Sequence, residues 1–166
     1  MFTRFLPWAI LLALLSPAAG SPGGDDPWTK LLSLAGEWEG TEAGRTTTLT
    51  YTVISGGNAL MESMKMPAPE PDMVTIYHRG GPALVATHYC SMGSQPRMRA
   101  AGATPDGKSI RFHFADITNL AKPDGGHIRH RTVNFVDARH FTQQWFGVEK
   151  GKEDSVLFHW ARKQTK

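Results

Sequence analysis

Turn signals recur at nearly even intervals from position 36 to position 162, and that rhythm constrains the fold more than any other feature. Ser55-Gly56-Gly57-Asn58, Pro67 to Asp72, Arg79-Gly80-Gly81-Pro82, Met92 to Pro96, Pro105-Asp106-Gly107-Lys108, Lys122 to Gly126, Asp137-Ala138-Arg139 and Glu149 to Lys152 each separate segments rich in β-branched and aromatic residues. Turns about 8–12 residues apart between such segments mark antiparallel strands in a sandwich or barrel. Strands are expected over 37–41, 47–54, 59–66, 73–78, 83–90, 97–102, 109–115, 127–136, 140–147 and 155–162. A uniform up-and-down order favours closure, because closure removes the unpaired edges of a sheet. The expectation is an all-β chain, an up-and-down antiparallel β-barrel of about nine or ten strands with one short N-terminal helix. That helix is read over 27–35, with Asp26 as N-cap, Pro27 at the first helical position and Gly36 as its stop.

The first twenty residues read as a signal peptide. Arg4 supplies the positive end, and Phe5 to Leu15 is apolar but shorter than the ~20 residues a membrane-spanning helix needs. Ser16-Pro17-Ala18-Ala19-Gly20 offers small residues for cleavage. Residues 21–26 read as a flexible linker and 27–166 as the barrel domain. The implied destination is outside the cytoplasm, periplasmic or secreted, with no membrane span after cleavage. A single cysteine, Cys90, excludes an internal disulfide framework, so packing has to hold the fold. The net charge of +3 is scattered, with no basic stripe interleaved with aromatics, which argues against a nucleic-acid partner. The sequence does not give the oligomeric state.

Alternation assigns faces. Leu60, Glu62, Met64 and Met66 share one face of their strand; Leu84, Ala86, His88 and Cys90 share another; Ile110, Phe112 and Phe114, then Phe141, Gln143 and Trp145, then Val156, Phe158, Trp160 and Arg162 follow the same logic. Glu62, His88, Gln143 and Arg162 are polar passengers on these apolar faces. An unpaired polar group in a dry core costs a few kcal/mol, so the set points to a partly wet cavity. Trp38 on the first strand and Arg162 on the last are placed to meet where a barrel closes, as a structural pair.

These readings make the protein a container for a small apolar or amphipathic molecule. Trp38, Met64, Met66, Leu84, Phe112, Phe114, Trp145 and Phe158 would form walls. Glu62, His88, Cys90, Gln95, Arg97 and Asn119 would recognise a polar end. Binding is favoured over catalysis, since no nucleophile elbow, phosphate loop or zinc-protease helix is present. The alternatives are an enzyme working through a Glu62/His88/Cys90 pocket and a barrel holding haem or copper. Met61-x-x-Met64-x-Met66 offers thioethers for cuprous ion, and His78, His88, Cys90 and His127 offer borderline ligands without tight metal spacing. No metal ligand set and no cofactor is assigned on this basis.

Three resemblances add to this reading. Gly36-x-Trp38 with a late Arg162 resembles the calycin superfamily of lipocalins and fatty-acid-binding proteins. Leu34 to Gly40, Ser55 to Glu62, Met73 to His78 and Thr87 to Met98 look like a family of exported bacterial lipocalin-like proteins of the domain-of-unknown-function kind. That resemblance implies a barrel and a bacterial source, and brings no reaction. Gly36, Trp38 and Gly40 are also similar to the opening of the haem-binding nitrobindins, whose haem is held by a late-strand histidine. Position 42 is Glu where those barrels carry a further Gly, and the late-strand His159 falls opposite Phe158 and Trp160, facing outward.

Overall fold

A computed structural model describes residues 26–42 and 45–164. The expected signal peptide and all of the expected linker except Asp26 lie outside the described residues. Ten strands follow one short helix, α1 (Pro27–Leu32): β1 (Gly36–Glu42), β2 (Arg45–Ile54), β3 (Ala59–Lys65), β4 (Met73–Gly80), β5 (Ala83–Tyr89), β6 (Gln95–Ala100), β7 (Ser109–Thr118), β8 (His127–Phe135), β9 (His140–Glu149) and β10 (Lys152–Arg162). Each strand pairs antiparallel with its sequence neighbours, and β1 pairs with β10, so the sheet is a closed up-and-down barrel.

Local chemistry explains the boundaries that differ from expectation. β10 starts three residues before its expected Ser155 because Lys150 and Gly151, with φ of 49° and 72°, make a tight turn that pairs Glu149 with Lys152. β6 starts at Gln95, and Pro96 lies inside it, one residue from the bulge at Arg97/Met98. α1 ends at Leu32 with Ser33 as its C-cap, short of the expected 35. Asp26 belongs with the helix and not with a linker. Its carboxylate accepts from the Thr29 amide at 3.1 Å and pairs with Arg79 at 2.6 Å.

The Gly36-Glu37-Trp38-Glu39-Gly40 segment is a packing requirement of the seam. Gly36 has φ +124°, and a Cβ there would lie 2.8 Å from the Arg162 guanidinium. A Cβ on Gly40 would meet the His159 carbonyl at 2.7 Å and the Trp160 ring at 2.8 Å. Across the seam Trp38 registers with Arg162, whose guanidinium carbon sits 4.1 Å from the indole centroid. The same guanidinium donates to the Ala35 and Ser33 carbonyls, each at 2.8 Å, and so ties the end of α1 to the closing strands. Arg162→Ala removes the stacking, these two charged hydrogen bonds and a third from Nε to the Ala138 carbonyl at 3.2 Å. It is expected to cost about 2–3 kcal/mol, read as a lower urea midpoint with an unchanged slope.

α1 stops one end of the barrel. Trp28, Leu31 and Leu34 join the core, the Trp38 indole donates to the Leu34 carbonyl at 2.8 Å, and Lys30 lies over Phe135. The opposite end, ringed by the turns at 66–72, 90–94, 119–126 and 150–151, carries no helix among the described residues. Between the ends the interior is filled by side chains rather than hollow: Trp38, Leu49, Leu60, Met64, Phe112, Phe141 and Trp160 are all buried against one another. Trp38 meets Phe141 edge-on at 4.6 Å, and Phe158 stacks with Trp160 at 5.6 Å.

Candidate functional site

A chain of polar side chains runs through this apolar filling. Its centre is Glu62 on β3, 1% exposed. Glu62 Oε2 accepts from Arg131 on β8 at 2.5 Å, Tyr51 on β2 at 2.6 Å, Tyr77 on β4 at 2.8 Å and Gln143 on β9 at 3.0 Å. Gln143 also donates to the Tyr51 hydroxyl at 2.6 Å, and its Oε1 accepts from the indoles of Trp160 and Trp145 at 3.2 and 3.4 Å. On the other side, Arg131 donates to Thr75 Oγ1 at 3.1 Å, and Thr75 Oγ1 lies 3.0 Å from His88 Nδ1. Arg131 stacks on Trp145 at 4.3 Å, and His88 meets the same indole edge-on at 4.7 Å. Inward positions of β2, β3, β4, β5, β8, β9 and β10 therefore meet in one charge-compensated cluster.

Burial and charge act against each other here. Burial works to raise the Glu62 pKa, but the Arg131 charge and the hydrogen bonds from Arg131, Tyr51 and Tyr77 outweigh it and hold the carboxyl below its usual range. Burial likewise opposes the Arg131 charge, and Glu62 more than restores it. Burial, then the Glu62 charge, raises the Tyr51 hydroxyl well above its usual pKa, and burial does the same for Tyr77. His88 is pushed down to about 4 by burial first and the Arg131 charge second. At neutral pH the cluster therefore holds an anionic carboxylate, a cationic guanidinium and a neutral imidazole.

Two nitrogens of this cluster are buried and have no hydrogen-bond partner: His88 Nε2 and Arg131 Nε. Such groups are uncommon in folded proteins, because each forfeits its water without replacing it. Both belong to side chains that abut Thr75 Oγ1 and the Trp145 ring. Trp145 also floors an open depression of about 220 Å³ at the helix-free end, lined with Ile128, Gly147, Asp154, Ser155 and Val156. It adjoins a larger groove of about 460 Å³ that shares Ile128, Gly147 and Asp154 and extends to Met92 and His127.

The residues singled out from sequence do not all meet in one place. Glu62 and His88 are brought together through Thr75 and Arg131, with Trp145 against them; Met64 and Phe112 are buried in the same interior. Gln95, Arg97 and Asn119 are elsewhere. Pro96 and Met98 face inward on β6, so alternation turns Gln95 and Arg97 outward. Gln95 Oε1 accepts from Thr118 and Asn119 at 2.9 and 2.7 Å, and Arg97 pairs with Asp116 at 2.7 Å on the exposed wall. These three side chains do not reach the Glu62 cluster, which corrects their expected place beside it. Cys90 is half-buried just past the end of β5, and no hydrogen bond joins it to Glu62 or His88. Trp38 and Arg162 meet at the seam. His159 is exposed. Among the described residues no three His, Cys, Asp or Glu side chains are grouped to hold a metal ion.

In place of the expected wet cavity the interior is packed: Glu62 and Gln143 are satisfied within the cluster and Arg162 at the seam, while His88 keeps one unpartnered nitrogen. The partner that makes this work, Arg131, was read from sequence only as one of several scattered bases. Its signal lay in Arg131-x-Val133-x-Phe135, an inward alternation on β8 that a bulge between Ile128 and His130 cuts short. Thr75-x-Tyr77 and Leu49-x-Tyr51 carried the same kind of signal for the hydroxyl donors.

No protein-family model and no curated protein matches the chain. A crystal structure from Nostoc punctiforme, of a protein with unknown function from the DUF3598 family, is similar with a TM-score of 0.55 at 16% identity over 87% of this chain. That overlap covers 53% of the Nostoc chain, so the present chain spans about half its length. What the likeness carries is the fold, an all-β barrel.

Proposed function

We propose that the protein binds a small, largely apolar molecule at the helix-free end of the barrel. The apolar part lies in the depression over Trp145, between Ile128 and Val156. The polar end reaches His88 and Arg131 beneath the indole. The observation that carries this reading is the pair of buried, unpartnered nitrogens behind a tryptophan that floors an open depression. A pocket with apolar walls and a few convergent polar groups is the usual form of a small-molecule site. The proposed setting is extracytoplasmic, in keeping with the signal peptide expected from the sequence of the first twenty residues.

Reaching the two nitrogens requires Trp145 to turn aside, a side-chain motion and not a change of fold. The test is an NMR titration with hexanol. Resonances of Trp145, Ile128, Val156 and His88 are expected to shift together, while those of α1 stay fixed. Trp145→Ala is expected to change hexanol affinity by about tenfold or more. Shifts confined to the α1 end, or none at all, would overturn the reading.

A further inference from the structure

Resting on that reading, we infer that the polar end of the ligand is an uncharged hydrogen-bond acceptor, an amide, ester, ketone or alcohol oxygen, and not a carboxylate or phosphate.

The hydrogen-bond pattern sets the polarity of the site. Thr75 Oγ1 already receives a hydrogen from Arg131 at 3.1 Å. Its own hydroxyl hydrogen is left to point at His88 Nδ1, 3.0 Å away. This arrangement gives the Thr75 hydroxyl both an incoming donor and an acceptor, and it makes His88 the tautomer with its hydrogen on Nε2. The reverse tautomer would leave the buried Thr75 hydroxyl hydrogen without an acceptor. Arg131 Nε is a donor in every state. Both unpartnered nitrogens are therefore N–H groups, and both call for an acceptor.

Charge decides which acceptor. Glu62 is the one anion of the cluster and Arg131 its one cation, paired at 2.5 Å and both essentially free of solvent. The pair is already neutral. A ligand carboxylate drawn to the two N–H groups would bring a second negative charge against Glu62, with no second cation to balance it. Like charges that close in a low-dielectric interior repel strongly. The imidazole does not supply the balance at neutral pH, since burial and Arg131 hold it uncharged. An amide or alcohol oxygen meets the same two donors without this cost. Burying a polar group is tolerable when it is hydrogen-bonded, whereas burying a charge requires a partner of opposite sign.

The test compares hexanamide, hexanol and hexanoate by calorimetry at neutral pH, with His88 followed by ¹⁵N NMR. Hexanamide and hexanol are expected to bind about tenfold or more tightly than hexanoate. His88 should show hydrogen on Nε2 before and after hexanamide is added, with the Nε2 resonance moving on binding. His88→Phe, which keeps a ring against Trp145, should narrow the hexanamide preference. Hexanoate binding as tightly as hexanamide, or binding with proton uptake by His88, would overturn the inference and leave the proposed binding intact. A free protein with hydrogen on His88 Nδ1 would overturn it without any variant having to fold. Binding by none of the three would remove the proposed function together with it.

Discussion

Arg131→Met is expected to lower stability by about 3–5 kcal/mol at neutral pH, the cost of leaving a buried carboxylate without its cation. The pH dependence separates this cause from lost packing. In the wild type the Glu62 pKa lies below the ordinary 4.5, so its contribution is present above that pH and is lost as pH falls through the folded value. In the variant, burial acts without the opposing guanidinium and raises the Glu62 pKa above 4.5. The penalty then fades as pH falls below that raised value, because the carboxyl takes up a proton in the folded state. Urea unfolding at neutral pH and near pH 5 should show the gap between variant and wild type narrowing on acidification. Adding Glu62→Leu should recover part of the loss and not all of it, since the Tyr51 and Tyr77 hydroxyls would lose their acceptor. A pH-independent gap would mean that Arg131 contributes through volume alone.

The second large effect is acid sensitivity set by His88. Its folded pKa is about 4 against an ordinary 6.5, so the unfolded chain binds a proton there more readily than the folded barrel does. Stability is therefore complete above pH 6.5 and declines as pH falls toward 4. The total expected from that difference is about 3 kcal/mol. His88→Phe should flatten the upper part of this slope, between pH 6.5 and 4.5, where Glu62 does not yet titrate. Chemical denaturation of both proteins across that window is the measurement. An equally steep decline in the variant would assign the effect to other groups.

Most of the architecture was legible because strand punctuation is local. Pro-Asp-Gly, Arg-Gly-Gly-Pro and the other breaks fix hairpins without reference to the rest of the chain, and a run of hairpins leaves closure as the way to hide two edges. The inward faces of β3, β5, β9 and β10 followed from period-two alternation, which is how Glu62, His88, Gln143 and Trp145 came to attention. What did not follow was who pairs with whom across the barrel. Glu62 and Arg131 stand 69 positions apart and on strands that are not neighbours, so no local pattern joins them. The bulge in β8 also breaks the alternation that would have marked Arg131 as inward. Gln95, Arg97 and Asn119 do gather near one strand end, but Pro96 and Met98 are the inward pair on β6, so Gln95 and Arg97 face away from the Glu62 cluster.

Nine of the ten strand pairings join consecutive strands, and the tenth, β1 with β10, joins the two extremes of the sheet. Bringing distant segments together costs chain entropy that neighbouring hairpins avoid, and such pairings tend to form late. The Trp38–Arg162 contact is therefore expected to form after the rate-limiting barrier. The weakening expected from Arg162→Ala should accordingly shorten the lifetime of the folded barrel while leaving the speed of its assembly almost untouched.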